Sequence, residues 1–401
     1  MMKRFFLWLP FLLPFYVVRF QIGPLPTTLL ELIILGLAAG WLIERRADGI
    51  REAWTRSAAW RVPAALWILA GIVAVMISPV QIQALGLFRA YFIEPLLVFF
   101  IAFDLVRTER DREQLYKSFA FITIALAAWA AVQMATGYGI PHPWEVWPGR
   151  RSTGPFPFPN ALALFVTPIT SLAFARIVRR LDAMKQAREK KIARELWLDL
   201  ATVLTGVAAI LFADSQGGLV AFGAAAFVAM IMHRHARRFA IEFALAGMLA
   251  LVIIAPLRHR VSEVVLFKDW SGMVRTVIWK ETATMLTDTS TTAGVLRPIF
   301  GAGLAAYPVA ILPYHTATWM EVFQYPHNIV LNLWSEMGLP GIVAFTLIVI
   351  IWIRKRSPFA LPVIAAILVH GLVDVPYFKN DLVVAFWFLI LLTTLYEQDT
   401  R

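Results

Sequence analysis

Apolar stretches of about 16–20 residues recur from one end of the chain to the other, separated by short polar segments. A stretch of that length crosses roughly 30 Å of hydrocarbon as a helix. The short alternating strands that would build a membrane barrel are absent from the pattern. Twelve membrane helices are predicted, at about 5–20, 27–43, 63–78, 86–106, 118–136, 159–178, 197–213, 218–232, 239–257, 328–353, 359–375 and 381–396. The first begins MMKRFFLWLPFLLPF, which has no small-residue cleavage site and runs into further spans, so it reads as a membrane helix and not a signal peptide. The expected fold is all-α and polytopic, a single membrane domain over 1–401 without internal repeats.

Composition sharpens this. Of 401 residues, 59% are hydrophobic and only 16% charged, against about a quarter in a soluble domain. There is no cysteine, which excludes disulfides and thiolate metal sites. The net charge of +11 would suit nucleic acid, but the positions of the charges say otherwise. With the N-terminus inside, Lys3, Arg4, the alternate loops 44–62, 107–117, 176–195, 233–238 and 354–356, and the C-terminal tail hold 26 of the 37 basic residues. That is the bias of cytoplasmic loops, so both termini are expected inside, with membrane lipids and not nucleic acid as the partner. The longest stretch without a span, 258–326, then lies outside as a cap. Within it WSGMVRTVIWKETATML places apolar residues at 270, 273, 274, 277, 278, 285 and 286, close to helical spacing and consistent with an amphipathic helix. A second outer loop, 137–158, ends in GPFPFPN, where three prolines stiffen the backbone ahead of the sixth span.

Chemistry is sought on that outer side. GAGLAAYP at 301–308 lacks the third glycine, the Lys-Ser/Thr pair and the βαβ context of a nucleotide loop. Eleven basic residues break the charge bias, and each either anchors to lipid phosphates or points inward. Arg275 sits inside the apolar stripe of the outer helix: it snorkels along Trp279 or serves a site. Arg151 precedes the rigid turn, as a headgroup contact or a fixed guanidinium. Two such forks converging on one point suit a pyrophosphate. His327, in QYPHNIVLNLWSEMGLPG at the outer mouth of the tenth span, is a helix cap, a general base or a contact to an anionic leaving group. His370 and Asp374 are four apart and so share a helix face at the outer end of the eleventh span. No third ligand joins them, and no metal is expected.

The ordered run RRSTGPFPFPN, DSQGG, MVRTVIWKE, IFGAGLAAYP, YPHNIVLNLWSEMGLPG and HGLVDVPYFKND resembles the O-antigen ligase superfamily, across roughly 120–396. The resemblance implies a GT-C-like fold in a bacterial cytoplasmic membrane. It also implies a site facing outward and metal-independent, inverting transfer of a glycan from a polyprenyl (undecaprenyl) pyrophosphate carrier to a lipid, glycan or protein acceptor. No cofactor is implied. Carried over, His327 and Arg275 are the catalytic pair, Arg151 binds pyrophosphate with Arg275, and Asp374 is a polar site residue. Asn328, His370, Ser215 and Arg150 complete the expected substrate contacts. One departure stands out: many members carry arginine in the serine turn, where this chain has Ser215-Gln216-Gly217-Gly218, and Arg150 is the candidate replacement. Glu336 and Gly338 match the family but read as structural, breaking the tenth span. A transporter or flippase of envelope precursors is the competing reading, and an assembly scaffold a weaker one. Transporters show paired halves with matching broken helices. Here the polar motifs gather in the later two-thirds and on one side.

Overall fold

A computed structural model describes residues 2–23, 25–187, 194–290 and 294–395. The middle of the most basic loop, 188–193, falls outside the described residues, as does the last residue of the twelfth expected span. Two short helices, α1 (Met2–Leu7) and α2 (Leu9–Leu12), and a 3-10 turn (Leu13–Val17) open the fold, broken by Pro10 and Pro14. A two-stranded hairpin follows, β1 (Arg19–Ile22) paired antiparallel with β2 (Leu25–Thr28), a minor element in a fold that is all-helical as expected. Then come α3 (Leu29–Arg56), α4 (Arg61–Ile77), α5 (Gln81–Phe88), a π turn (Arg89–Ile93), α6 (Glu94–Leu105), α7 (Glu109–Thr136), α8 (Pro159–Ala187), α9 (Arg194–Phe212) and α10 (Gln216–Ile231). The later part holds α11 (Arg234–Ile253), α12 (Ala255–Val265), α13 (Trp270–Thr287), the short α14 (Arg297–Phe300) and α15 (Tyr307–Ala310), then α16 (Ile329–Arg354), α17 (Ala360–Gly371) and α18 (Asn380–Leu395).

Six helical stretches among the described residues are long and apolar enough to cross a membrane: Ala58–Ile77, Gln81–Leu105, Glu109–Thr136, Pro159–Lys185, Glu195–Phe212 and Ile329–Arg354. Three shorter apolar helices, α10, α17 and α18, accompany them. These nine correspond to nine of the twelve expected spans. Of the other three, 5–20 is divided by its prolines, 27–43 forms the first part of α3 before its backbone breaks at Arg46 (φ 49°), and 239–257 runs across the break between α11 and α12. Length and apolarity therefore do not yield twelve.

The core explains the helix order. α8 is buried along 94% of its apolar window and α18 from Asp381 to Leu395, so these two helices run through the middle. Pro168 removes one backbone donor inside α8, while the hydroxyls of Thr167, Thr170 and Ser171 return to carbonyls one turn back at 2.7, 2.7 and 2.8 Å. Any side chain on Gly206 of α9 would run into Thr170, which is why these helices approach so closely.

The two ends of the bundle differ in chemistry. At one end the basic loops are held by carboxylates: Arg45 to Asp104 at 2.9 Å, Lys3 to Asp111 at 2.8 Å, and buried Arg176 to both Glu113 at 2.8 Å and Asp199 at 3.0 Å. Following α3, α6, α7, α8 and α9 to their opposite ends leads to Thr28, Glu94, Gln133, Asn160 and Phe212. That second end carries the loops 137–158 and 254–328 and the candidate site.

The expected amphipathic helix exists as α13, but its buried stripe differs from the apolar one. Ile278, Glu281, Thr282, Met285 and Leu286 are buried at helical spacing, whereas Trp270 and Met273 are exposed. The buried Glu281 accounts for this. It accepts from Thr316 N at 2.7 Å and Thr316 Oγ1 at 3.0 Å, and meets His315 Nδ1 at 3.1 Å, so the stripe docks on a loop through polar contacts.

Candidate functional site

The last helix pair sets the frame. α17 has twelve residues, about 18 Å at 1.5 Å per residue, well short of a bilayer core. It stops at Gly371, and the chain turns through Leu372–Phe378 before α18 begins. Asp374 therefore lies in this turn and not on the helix face expected for it beside His370, although its N–H still donates to the His370 carbonyl at 3.0 Å. Its carboxylate is 2% exposed and engaged on both oxygens. Oδ1 accepts from Val375 N at 2.9 Å and meets His327 Nδ1 at 3.1 Å, while Oδ2 accepts from the Asn160 amide at 3.1 Å.

His327 is held in an unusual backbone conformation, φ 49°, immediately before the helix start. Phe323 and Tyr325 pack edge-on against its ring, with centroids at 5.3 and 5.1 Å. A carboxylate accepts only from a nitrogen that carries a proton, so the Asp374 contact assigns the hydrogen to Nδ1. In the neutral ring Nε2 then keeps its lone pair, and it makes no hydrogen bond among the described residues. That is the arrangement of an oriented general base. Asn328 next to it is occupied in folding. Its Oδ1 accepts from Val330 N and Leu331 N at 3.0 and 3.1 Å, capping α16, and its Nδ2 donates to the Leu372 carbonyl at 3.0 Å.

Two guanidiniums join this network from other elements. Arg275 reaches inward from α13, donating from Nε to the Val373 carbonyl at 2.8 Å and from Nη1 to Ser271 Oγ at 2.6 Å. It does not lie along Trp279, whose indole N–H donates to the Pro326 carbonyl at 2.9 Å and so fixes the residue just before His327. Arg151 donates to the Ala213 and Asp214 carbonyls at 3.0 and 3.2 Å and to Asn160 Oδ1 at 3.0 Å. Burial pushes both guanidiniums below the ordinary arginine range. For Arg151 the charge of Asp214 opposes this and that of Arg275 adds to it; for Arg275 the charges of Asp374 and Asp269 oppose it. The two cations are close enough to repel, a strain that an anion between them would relieve. No carboxylate contacts either guanidinium within salt-bridge distance among the described residues.

The serine turn closes the remaining side. Ser215 Oγ caps α10 by accepting from Gly218 N at 3.3 Å, and Asp214 before it has φ 48°. A Cβ on Gly217 would meet Val373 at 2.7 Å and His370 at 3.3 Å, so the bare backbone lets the start of α10 press against the Asp374 turn. An arginine at that position would have to displace it. Arg150, the expected replacement, joins none of the hydrogen bonds around Asp374. It donates to the Met134 carbonyl at 2.9 Å and the Glu145 carbonyl at 3.1 Å, tying the C-terminal end of α7 to loop 137–158. His370 is buried beneath the site, lining with Leu164, Phe165 and Pro168 a cavity of about 10 Å³.

Glu336 and Gly338 have the structural role read from the sequence. The backbone of α16 leaves helical geometry at Gly338 (φ 66°), where a side chain would strike the Ile299 and Phe300 backbone. Glu336 Oε2 accepts from Ala305 N at 2.6 Å, anchoring the GAGLAAYP turn. Gly301 (φ 77°) likewise admits the Trp334 and Ser335 carbonyls.

Asn160 was missed in the sequence. Among the described residues it is the one side chain bonded to both Arg151 and Asp374, and its only sequence signal is its place at the end of GPFPFPN, opening α8.

Residues 201–346 match the O-antigen ligase family model, the superfamily that the order of the motifs resembles. The match contains Ser215, Arg275, His327 and Asn328, whereas Arg150, Arg151, Asn160, His370 and Asp374 lie outside it. No curated protein matches the chain at a significant level.

Proposed function

We propose that this chain is an O-antigen ligase-like, inverting glycosyltransferase that moves a glycan from a polyprenyl pyrophosphate to an acceptor hydroxyl at the outer face of a bacterial cytoplasmic membrane. The observation that carries the reading is the His327–Asp374 pair at 3.1 Å, flanked by two half-buried arginines that contact no carboxylate among the described residues. The match to the O-antigen ligase family supports the same class of chemistry.

In this reading Arg151 and Arg275 hold the pyrophosphate, whose negative charge offsets their mutual repulsion. The acceptor O–H gives its proton to His327 Nε2 while its oxygen bonds to the anomeric carbon. The bond from that carbon to the phosphate oxygen breaks with its electron pair, leaving polyprenyl pyrophosphate. Attack opposite the leaving group inverts the configuration. Asp374 holds the Nδ1 tautomer and stabilises the imidazolium that forms. Oriented arginine donors meet the growing charge on the leaving group, the role that a metal ion fills in other transferases.

The flippase reading is less favoured, because the family match points to transfer chemistry and transporters usually pair broken helices in corresponding halves. The test is direct: purified protein is incubated with a polyprenyl-pyrophosphate glycan and candidate lipid, glycan and protein acceptors. Transfer product and free polyprenyl pyrophosphate should form in equal amounts. Donor moved across liposomes with no bond broken would overturn the reading in favour of a flippase.

A further inference from the structure

Arg151 has an aromatic neighbour that the chemistry above does not use. The ring centroid of Trp144, in loop 137–158, lies 5.0 Å from the Arg151 guanidinium carbon, within cation–π range. The backbone ties the same two residues together, since Arg151 N–H donates to the Trp144 carbonyl at 2.9 Å. Arg151 in turn reaches Asn160, and through it the Asp374 carboxylate that orients His327. Trp144 is half-buried, and its indole N–H makes no hydrogen bond among the described residues. A fixed ring with open surface and a free donor therefore stands beside the expected pyrophosphate clamp.

The loop holds that ring in place. Gln133, buried near the end of α7, donates to the Gly139 and Gly154 carbonyls at 3.0 and 2.9 Å and accepts from Thr153 and Gly154 N–H at 3.0 and 2.8 Å, closing the base of the loop. Trp144 N–H donates to the Pro141 carbonyl at 3.0 Å, and Arg150 ties the next residue, Glu145, to Met134. A ring fixed before its ligand arrives loses little freedom on binding. Val146 and Trp147, 55% and 69% exposed, suit a bilayer anchor; Trp144, drawn in against a guanidinium of the site, does not.

Connectivity names the occupant. In a lipid-linked glycan the first sugar is joined directly to the pyrophosphate, so a pyrophosphate on Arg151 sets that sugar beside Trp144. The prenyl chain leaves from the other phosphate and needs hydrocarbon, whereas Trp144 lies in a loop beyond the ends of α7 and α8, beside His142, Glu145 and Arg150. A pyranose matches both features of the indole: its C–H face packs on aromatic surface, and a hydroxyl accepts the free N–H. We infer that Trp144 is the platform for the donor's first sugar, the one whose bond to phosphate breaks, and that it helps to select which glycan is transferred. This placement rests on the pyrophosphate role proposed above for Arg151.

Binding to the detergent-purified protein is measured without acceptor, so that turnover does not enter. The probes are polyprenyl pyrophosphates bearing glucose, galactose, N-acetylglucosamine or N-acetylgalactosamine, and one capped by a methyl group, which keeps the charge and lacks the sugar. Wild type should bind at least one sugar-bearing carrier at least fivefold more tightly than the methyl-capped one. Trp144→Ala should erase that advantage, and Trp144→Phe, which keeps a ring face but loses the N–H, should retain part of it. Affinity for the methyl-capped carrier should stay within twofold of wild type in both variants. Equal binding of all carriers by wild type would overturn the inference, and that result needs no variant to fold. A full sugar advantage in Trp144→Ala would overturn it too. So would a loss that falls equally on capped and sugar-bearing carriers, which would make Trp144 a brace for Arg151 or a contact to the prenyl chain. Failure of the underlying reading looks different: Arg151→Ala would then bind the methyl-capped carrier as tightly as wild type, which would remove the clamp and with it the placement of the sugar.

Discussion

Asn160 and Asp374 stand 214 positions apart, and the amide of the first donates to the carboxylate of the second at 3.1 Å. The same amide group accepts from Arg151, so one side chain links the expected pyrophosphate clamp to the residue that orients the base. Asn160→Ala should cut both links at once. We expect kcat to fall about ten- to a hundredfold with the protein still inserted and purified, as for loss of a group that positions general-base machinery. Asn160→Asp should be worse than alanine, because it sets a second carboxylate against Asp374. Turnover of the alanine variant within twofold of wild type would remove Asn160 from the site.

Arg275 tests geometry against charge. Its guanidinium makes two directed contacts, to the Val373 carbonyl and to Ser271, and still has donors for an anion. Lysine carries the charge but not the fork. Arg275→Lys should therefore lose most activity, with weaker donor binding, while detergent-solution stability is little changed. Near-normal turnover by the lysine variant would make Arg275 an interface anchor.

The sidedness of the chain can be read with single cysteines, because it has none of its own. Thr289, just after α13, and Lys185, near the end of α8, are expected on opposite faces, Thr289 outside and Lys185 inside. A membrane-impermeant thiol reagent applied to intact cells should label a cysteine at 289 and spare one at 185. Labelling of both positions alike would undo the placement of the site on the outer face.

Much of this was legible in the sequence, for physical reasons that differ from place to place. Uninterrupted apolar runs gave the long helices, because only a helix hides its backbone from hydrocarbon. Arg275 was singled out because a cation inside an apolar stripe demands a partner, and the break at Gly338 was legible because the glycine stands near Pro340. Asn160 was not found, since nothing local marks an asparagine that bonds a turn more than two hundred residues away. Arg150 and Arg151 are adjacent in sequence with the same chemistry; only the fold sends one to the end of α7 and the other to Asn160. The buried stripe of α13 was misjudged at Glu281, whose partners come from a loop with no sequence signal. The first apolar run is long enough to span, yet Pro10 and Pro14 divide it.

The Glu281–His315 contact makes the loop between α15 and α16 sensitive to pH. Burial alone would raise the Glu281 carboxyl, but hydrogen bonds from Thr316, His315 and Ala317 outweigh it and hold the group below the ordinary carboxylate range. His315 is raised above the usual histidine range, chiefly by its hydrogen bond to Glu281. A lowered acid contributes stability that is lost as pH falls through its folded value; a raised histidine contributes stability that is lost as pH rises through its folded value. The loop should thus be firmest between the two, roughly from pH 4.5 to 6.5, and loosen on either side. Hydrogen exchange at Thr316 and Ala317 should be slowest in that window, and His315→Gln should abolish the alkaline loss while keeping the acid one. A flat profile across both limbs would show that the pair does not govern the loop.

The most exacting prediction concerns His327. With Nδ1 facing Asp374, only Nε2 is free to act, and removing the ring removes the base. His327→Ala should lower transfer by about a hundred- to ten-thousandfold, the usual worth of general-base catalysis, with donor binding largely kept. Asp374→Asn should cripple the enzyme for a different reason: an amide can donate to Nδ1, turning the free electron pair inward and the proton toward the acceptor, where a base is needed. Donor binding then separates the two roles open to the imidazole. If Nε2 takes the acceptor proton, the alanine variant loses turnover and keeps donor affinity; if the ring only holds pyrophosphate as a cation, that variant loses donor affinity instead. Excess chelator should leave wild-type transfer intact, because the Asp374 carboxylate is already bonded on both oxygens and the leaving group is met by Arg151 and Arg275. Full activity of His327→Ala would end both roles, and activity abolished by chelator and restored by a divalent ion would replace the arginine account of the leaving group with a metal-dependent one.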